Sequence, residues 1–268
     1  MTDLADGEWR LIREEARPGP MQMALDEVAA ETAATGGPRT VRVYRWAPSS
    51  LSLGYRQESA TVDWGFCADN GVEVTRRPTG GGGIYHDSTG DISYTIAVPA
   101  AAVPGELLDC YELLCEPVLE AFDRMGVDAA FAAEQKPAVY QPACYLRAIH
   151  PAHDIVAGGR KLSGNAQYRQ RDAVVQHGSL SYTRVPDRHL GVFDTGIDTR
   201  EFQGRVTSIR EQTGIDRPAA VTELEVALAD RVGAEAGRWT DAELERAVTL
   251  AETKYASDRW TRDREDPT

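Results

Sequence analysis

Arg76-Arg77-Pro78-Thr79-Gly80-Gly81-Gly82-Gly83-Ile84-Tyr85-His86-Asp87 is the stretch on which the reading of this chain turns. Four consecutive glycines leave no side chain to hold a ligand off the backbone. Their successive N–H groups can form a concave anion nest, and Arg76 or Arg77 adds positive charge beside it. A short strand is expected before the run, at residues 72–75, and another after it. The loop is therefore not a P-loop, which requires Gly-Lys-Ser/Thr after the glycines, nor a GxGxxG turn opening a helix. A glycine run alone reads equally well as a flexible turn. Arg-Arg on one side and His-Asp on the other favour a site.

Farther along, Asp154-Ile155-Val156-Ala157-Gly158-Gly159-Arg160-Lys161-Leu162-Ser163-Gly164-Asn165-Ala166-Gln167 forms the second constellation. Gly158-Gly159 reads as a hairpin turn that delivers Lys161 at the start of a strand, with small residues behind it. The chain has 29 lysines and arginines, of which only Lys136, Lys161 and Lys254 are lysines. A lysine kept in that background beside Ser163, Gly164, Asn165 and Ala166 is placed to meet a phosphate or carboxylate, where a bulkier guanidinium is harder to seat. The third piece, Gln176-His177-Gly178-Ser179, lies on an expected strand. His177 by itself reads as a satisfied core histidine, and no acid–base role is assigned to it.

Around these blocks, apolar periodicity outlines the rest. Helical spacing covers residues 21–34, 62–70 and, most clearly, 107–125, where an apolar stripe from Leu107 and Leu108 to Met125 places Cys110 and Cys115 in the core. Strands are expected at 41–46, 51–53, 92–98, 155–157, 161–162 and 174–179, then a polar stretch, then helices at 222–237 and 241–256. Several strands follow one another without an intervening helix. That pattern predicts an α+β fold, a central mixed sheet flanked by helices, rather than a doubly wound parallel sheet. No repeat or linker divides residues 1–268, so a single domain is expected.

Composition excludes several classes. A formal charge of −13 disfavours nonspecific nucleic-acid binding as a main role. No apolar run approaches the roughly 18 residues of a membrane span. The acidic N-terminus lacks the features of an export signal, so a cytoplasmic protein with reduced thiols is expected. Acid excess with few lysines suits a surface in a salty cytoplasm; a GC-rich genome favouring Arg codons explains it equally.

The three blocks, in this order and spacing, resemble the signature blocks of lipoate–protein ligases and related octanoyltransferases. The early Met21-Gln22-Met23-Ala24-Leu25-Asp26-Glu27 and the late Lys254-Tyr255-Ala256-Ser257-Asp258-Arg259-Trp260 resemble that family too, so the likeness covers nearly the whole chain. The basic GRGRxGR loop of the distantly related biotin–protein ligases is absent. The resemblance implies a fold like that of biotin ligases and class II synthetase cores, without an accessory C-terminal domain. It also implies that Gly80 to Gly83 lie along the acyl chain and adenylate phosphate, with Thr79, Arg77 and His86 in the same pocket. Lys161 matches the family's essential lysine, Asp154 sits in a block linked to nucleotide and Mg²⁺, and Ser163, Gly164, Asn165, Ala166, His177 and Gly178 fall in binding blocks.

Two chemistries fit this family. In a ligase, lipoate attacks the α-phosphate of ATP, pyrophosphate leaves, and the mixed anhydride acylates a lysine of a lipoyl domain, with the glycine N–H groups, Arg77, Lys161 and Mg²⁺ stabilising charge on phosphate. In an octanoyltransferase no ATP is needed: octanoyl passes from acyl carrier protein to a cysteine and on to the target lysine. Cys144, in Gln141-Pro142-Ala143-Cys144-Tyr145, falls near the place where such members carry that cysteine. Arg147, His150, His153 or Lys161 would supply the positive charge a thiolate needs. Cys144, His150 and His153 also offer three metal donors, one short of a closed site. The ligase reading is favoured, with a separate accessory subunit completing adenylation. The targets implied are the lipoyl domains of 2-oxoacid dehydrogenase E2 subunits and the glycine cleavage H protein. A non-catalytic lipoyl-domain-binding regulator is the third reading, against which intact Arg77, His86 and Lys161 stand.

Overall fold

Alternating side chains along residues 41–46 and 92–98 do produce strands, and they are antiparallel neighbours near the middle of the molecule. The computed structural model describes residues 4, 6–151, 153–170 and 172–268. Its strands are β1 (Trp9–Arg17), β2 (Arg39–Trp46), β3 (Ser50–Leu53), β4 (Glu73–Arg76), β5 (Ile84–His86), β6 (Asp91–Pro99), β7 (Ala129–Phe131), β8 (Asp154–Ala157), β9 (Arg160–Arg169), β10 (Ala173–Ser181) and β11 (Glu235–Ala236). Eight form one sheet in the order β11-β1-β2-β6-β10-β9-β8-β7, and β4-β3-β5 form a small second sheet. β1 pairs in parallel with β2 and β11, and β3 with β4; the other pairings are antiparallel. The mixed, helix-flanked sheet is thus the α+β architecture expected.

The helices are α1 (Gly19–Ala34), α2 (Trp64–Asp69), α3 (Leu107–Arg124), α4 (Pro186–Gly191), α5 (Thr199–Arg205), α6 (Ile209–Thr213), α7 (Arg217–Val232), α8 (Asp241–Leu250) and α9 (Asp258–Thr261). Period-two alternation sorts the two faces of the large sheet. Val41 and Val43 of β2 join α3 and α7 in one core, while Tyr44 and Trp46 join α1 and α8 in another. A third core lies under the small sheet and includes Leu51, Leu53, Tyr85, Tyr145 and Phe202.

Several expectations change. The α3 stripe buries Cys110, Leu114, Cys115, Val118 and Phe122, but Leu107 and Leu108 in its first turn are 48% and 60% exposed. α7 starts five residues earlier than expected because Asp216 caps it, accepting from the Ala219 N–H, with Pro218 in the first turn. It stops at Gly233, which takes a left-handed φ of 67°, and Glu235–Ala236 then adds a strand to β1 where helix was expected. α8 ends at Leu250 and continues as a π-helical turn, Ala251–Tyr255. β1 is absent from the sequence reading because its outward residues are charged. Arg10 pairs with Glu243 of α8 and Arg13 with Glu225 of α7, which hides the alternation. The polar stretch after β10 holds α4, α5 and α6.

Candidate active site

Two glycines set the position of Lys161. Gly158 and Gly159 both adopt left-handed φ (54° and 71°), closing a two-residue hairpin with Ala157 opposite Arg160. Between Ile155 and Val156 the register with β9 then slips by one residue. Strict alternation from Lys161 would put Ser163 beside it; the slip instead lets Lys161 share a cavity wall with Gly164 and Ala166. Ser163 is buried away from that cavity and its hydroxyl has no hydrogen-bond partner.

The cavity, about 600 Å³ of empty space counting its solvent-open mouth, lies between the small sheet and β6, β10 and β9. Met23, Tyr44, Trp46 and Ile84 give it apolar lining, and Cys144, Arg147, His153, Asp154 and Lys161 give it polar and charged lining. Of the residues expected from sequence, Arg77, Gly80, Gly81, His86, Cys144, Asp154, Lys161, Gly164, Asn165, Ala166, His177 and Gly178 line this one space. Thr79, Gly82, Gly83 and Ser163 do not.

Gly82 and Gly83 have a different task. The Gly83 N–H donates to Pro142 O (2.7 Å), and the Cys144 N–H donates to Gly83 O (2.8 Å). A Cβ on Gly82 would lie 2.7 Å from Pro142 O and 2.9 Å from Cys144 N. The end of the glycine run is therefore bare so that the Cys144 turn can dock on it backbone to backbone. The two arginines before the run are structural rather than free charges beside an anion. Arg77 Nη1 donates to Ser52 O, and its Nη2 donates to Gly80 O (2.8 Å) and Gly82 O (2.7 Å). Fully buried Arg76 donates to the carbonyls of Gly54, Gln57 and Thr261, fastening the C-terminal segment to β4. Burial lowers the pKa of each to about 10. Among the described residues the N–H groups of Gly80 and Gly81 donate to no protein acceptor.

Lys161 is 2% exposed. Its Nζ lies 2.8 Å from Asp154 Oδ1, 3.1 Å from Cys144 O and 3.7 Å from Cys144 Sγ. Burial alone would lower the ammonium's pKa; the facing sulfur and the Asp154 carboxylate more than reverse that and raise it. Burial likewise opposes ionisation of Asp154, but Lys161, followed by His153, holds its carboxyl well below the usual range. The other Asp154 oxygen accepts the His150 N–H at 2.8 Å. Cys144 heads the 3-10 turn Cys144–Leu146 and is the only cysteine not fully buried; Cys67, Cys110 and Cys115 sit in the cores. Opposite it, a Cβ on Gly164 would come 3.3 Å from its sulfur. No group of three or more His, Cys, Asp or Glu side chains among the described residues is arranged to hold a metal ion, so the Cys144–His150–His153 spacing does not become a site.

Two histidine relays brace the wall. His86 stacks on Trp46 (4.0 Å between centroids) and is held between Ser52 Oγ (2.9 Å) and Asp91 Oδ2 (2.8 Å). Burial lowers its pKa despite Asp91. His177 is satisfied as expected, between Thr79 Oγ1 (2.7 Å) and Asp26 Oδ2 (3.1 Å). Asn165 accepts from Tyr94 OH and donates to His153 O, fixing the turn before Asp154. At Gly178 any Cβ would lie 2.2 Å from Asn165 Oδ1. Sequence reasoning missed Ser52, Trp46 and Asp26. Only Asp26, within the early helical block, carried a signal.

With this geometry in view, comparison with known proteins places the chain. Residues 18–232 match the model of the lipoyl protein ligase A/B catalytic domain, and the chain belongs to that family and is an enzyme. Curated relatives include octanoyltransferase LipM of Symbiobacterium thermophilum, 30% identical over 94% of this chain and 97% of that one. The LipM protein of Geobacillus kaustophilus is 31% identical over 96% and 99%. Among solved structures, a lipoate-protein ligase A bound with ATP shares the fold at TM-score 0.80, with 22% identity over 95% of this chain and 98% of that one. A lipoate protein ligase of Thermoplasma acidophilum with bound lipoic acid does so at 0.77, with 21% identity over 96% and 99%.

Proposed function

We propose that this enzyme is an octanoyltransferase that takes octanoyl from acyl carrier protein onto Cys144 and passes it to a lysine of a lipoyl-domain protein in the cytoplasm. The observation that carries the reading is a half-buried thiol lining the cavity, 3.7 Å from a buried ammonium. The curated relatives, matched end to end, bear the same activity in their names. This replaces the ligase reading favoured from sequence. Residues proposed to bind Mg²⁺ and ATP fit that role poorly: both Asp154 oxygens are engaged by Lys161 and the His150 amide, and both Arg77 terminal nitrogens by carbonyls. An accessory adenylation subunit then has no part to play. No helix is long and apolar enough to cross a membrane among the described residues.

The chemistry runs in two transfers. The Cys144 thiolate attacks the thioester carbonyl, a C–S bond to Cys144 forms as the carrier's C–S bond breaks, and the carrier leaves as a thiolate that takes a proton from water. The neutral amine of the target lysine then attacks the Cys144 thioester. A C–N bond forms, the C–S bond breaks, the nitrogen loses a proton and the thiolate is regenerated. Lys161 supplies the counter-charge to sulfur in both steps, and Asp154 aims it. The Gly80 and Gly81 N–H groups are the unengaged donors for the carbonyl oxygen as it becomes an oxyanion, and the Lys161 ammonium adds positive charge to the same cavity. Target lysines on E2 lipoyl domains and on the glycine cleavage H protein present the amine this step needs.

The test is acylation of an apo lipoyl domain and an apo H protein by wild type and Cys144→Ala. Transfer from octanoyl carrier protein without ATP, lost in the variant, supports the proposal. Transfer from free lipoate that needs ATP and survives the substitution restores the ligase.

A further inference from the structure

We infer that the open groove outside the glycine loop seats the phosphate-bearing pantetheine arm of the acyl donor, with Arg56 and Arg147 as its phosphate contacts. This rests on the thioester reading above and adds a binding site to it. The groove, about 920 Å³ counting the solvent at its open side, is lined by Tyr55, Arg56, Pro142, Arg147 and Gly80 to Gly82. Gly80, Gly81 and Arg147 also line the acyl cavity, so groove and cavity meet at the glycine loop. A thioester whose acyl chain enters the cavity therefore leaves its thiol-bearing arm in this groove.

The charges there match such an arm. Arg56 is exposed, and neither it nor Arg147 forms an ion pair among the described residues; Arg147 reaches only Gln141 O, at 3.5 Å. Glu58, the one acid of the groove, is already paired with Arg264 at 2.9 Å. In a chain of net charge −13, residues 135–170 contain a single acid, Asp154, against Lys136, Arg147, Arg160, Lys161 and Arg169. That acid is buried and neutralised by Lys161. An anionic donor approaching this acidic chain meets two guanidiniums without ion-pair partners where the groove joins the cavity. Guanidinium forks bind phosphate in a bidentate way, and these two give up no ion pair to do so.

The phosphate could arrive on a carrier protein or on coenzyme A, and three donors separate the cases: octanoyl carrier protein, octanoyl-CoA and octanoyl-pantetheine, which lacks the phosphate. The readout is kcat/KM for Cys144 acylation in wild type, Arg56→Met and the Arg56→Met/Arg147→Met pair. Wild type is expected to prefer both phosphorylated donors by about ten-fold or more. Arg56→Met should shrink that preference several-fold through KM, and the double variant should bring it close to one. Sensitivity of the carrier protein alone would mean that the arginines read the carrier's own surface, which overturns the assignment. An unchanged preference overturns it as well. Failure of every donor to acylate Cys144 in wild type would instead remove the octanoyltransferase reading beneath it.

Discussion

Lys161 and Lys254 are two buried ammonium groups in one molecule, and they have become different things. Each is nearly inaccessible, at 2% and 5% exposure. Each has a carboxylate at 2.8 Å, Asp154 for one and Asp266 for the other, and in each the partners overcome burial and raise the pKa. Lys254 adds Glu27 at 3.1 Å and sits over the Trp260 ring at 4.8 Å. It faces carboxylates and a ring, and it bolts the π-helical turn and α9 to α1. Lys161 has one carboxylate, and what faces it on the other side is a thiol in an open cavity. A raised pKa and an ion pair are common to both sites, so neither marks function. The nucleophile and the space for a substrate do.

That contrast is open to attack at several points. Cys144→Ala should lower octanoyl transfer by about 10³-fold or more, because the covalent route is lost. Lys161→Ala should cost about 10²–10³ in kcat, the usual effect of losing one charge-stabilising donor, whereas Lys254→Met should leave kcat within about two-fold. Asp154→Asn keeps the shape but frees the ammonium; about a ten-fold fall in kcat with little change in KM is expected from steady-state kinetics. Gly164→Ala brings a methyl to 3.2 Å from Lys161 Cε and 3.3 Å from the sulfur, and should slow acylation a few-fold in a protein of unchanged melting temperature.

Lys254→Met should act on stability instead, by about 1–3 kcal/mol, discounted because Asp266 is 45% exposed. The sign with pH follows from linkage. A lysine whose folded pKa is raised contributes fully below its unfolded value, about 10.4, and loses that contribution as pH rises through the folded value. Denaturation of wild type and variant should therefore differ at pH 8 and converge as pH rises through the raised folded value. A gap that stays constant would show that Lys254 acts by packing alone.

Much of the site was readable from sequence because it depends on residues with no substitute. Gly81 takes a left-handed φ, Gly82 and Gly83 leave no room for a Cβ, the Gly158–Gly159 turn favours glycine at both positions, and a lone lysine among arginines stood out. The purpose of the glycines was only half legible: Gly80 and Gly81 face the cavity as the anion-nest argument expects, while Gly82 and Gly83 serve the Cys144 turn some sixty residues later. Arg76 and Arg77 read as anion binders because sequence shows charge but not the backbone carbonyls that consume it. The bulge that turns Gly164 and Ala166 toward Lys161 has no sequence mark, and neither does the Ser52–His86–Asp91 relay, assembled from three separate strands. In the fold, β1 was hidden by charges paired to α7 and α8, whereas the apolar α3 was plain.

The most direct measurement is the intact mass of the enzyme after brief exposure to octanoyl carrier protein without ATP, with peptide mapping. A single octanoyl group on Cys144, discharged when an apo lipoyl domain is added, is the result expected. An unmodified Cys144, in enzyme that still octanoylates the domain, would contradict a covalent route through this thiol.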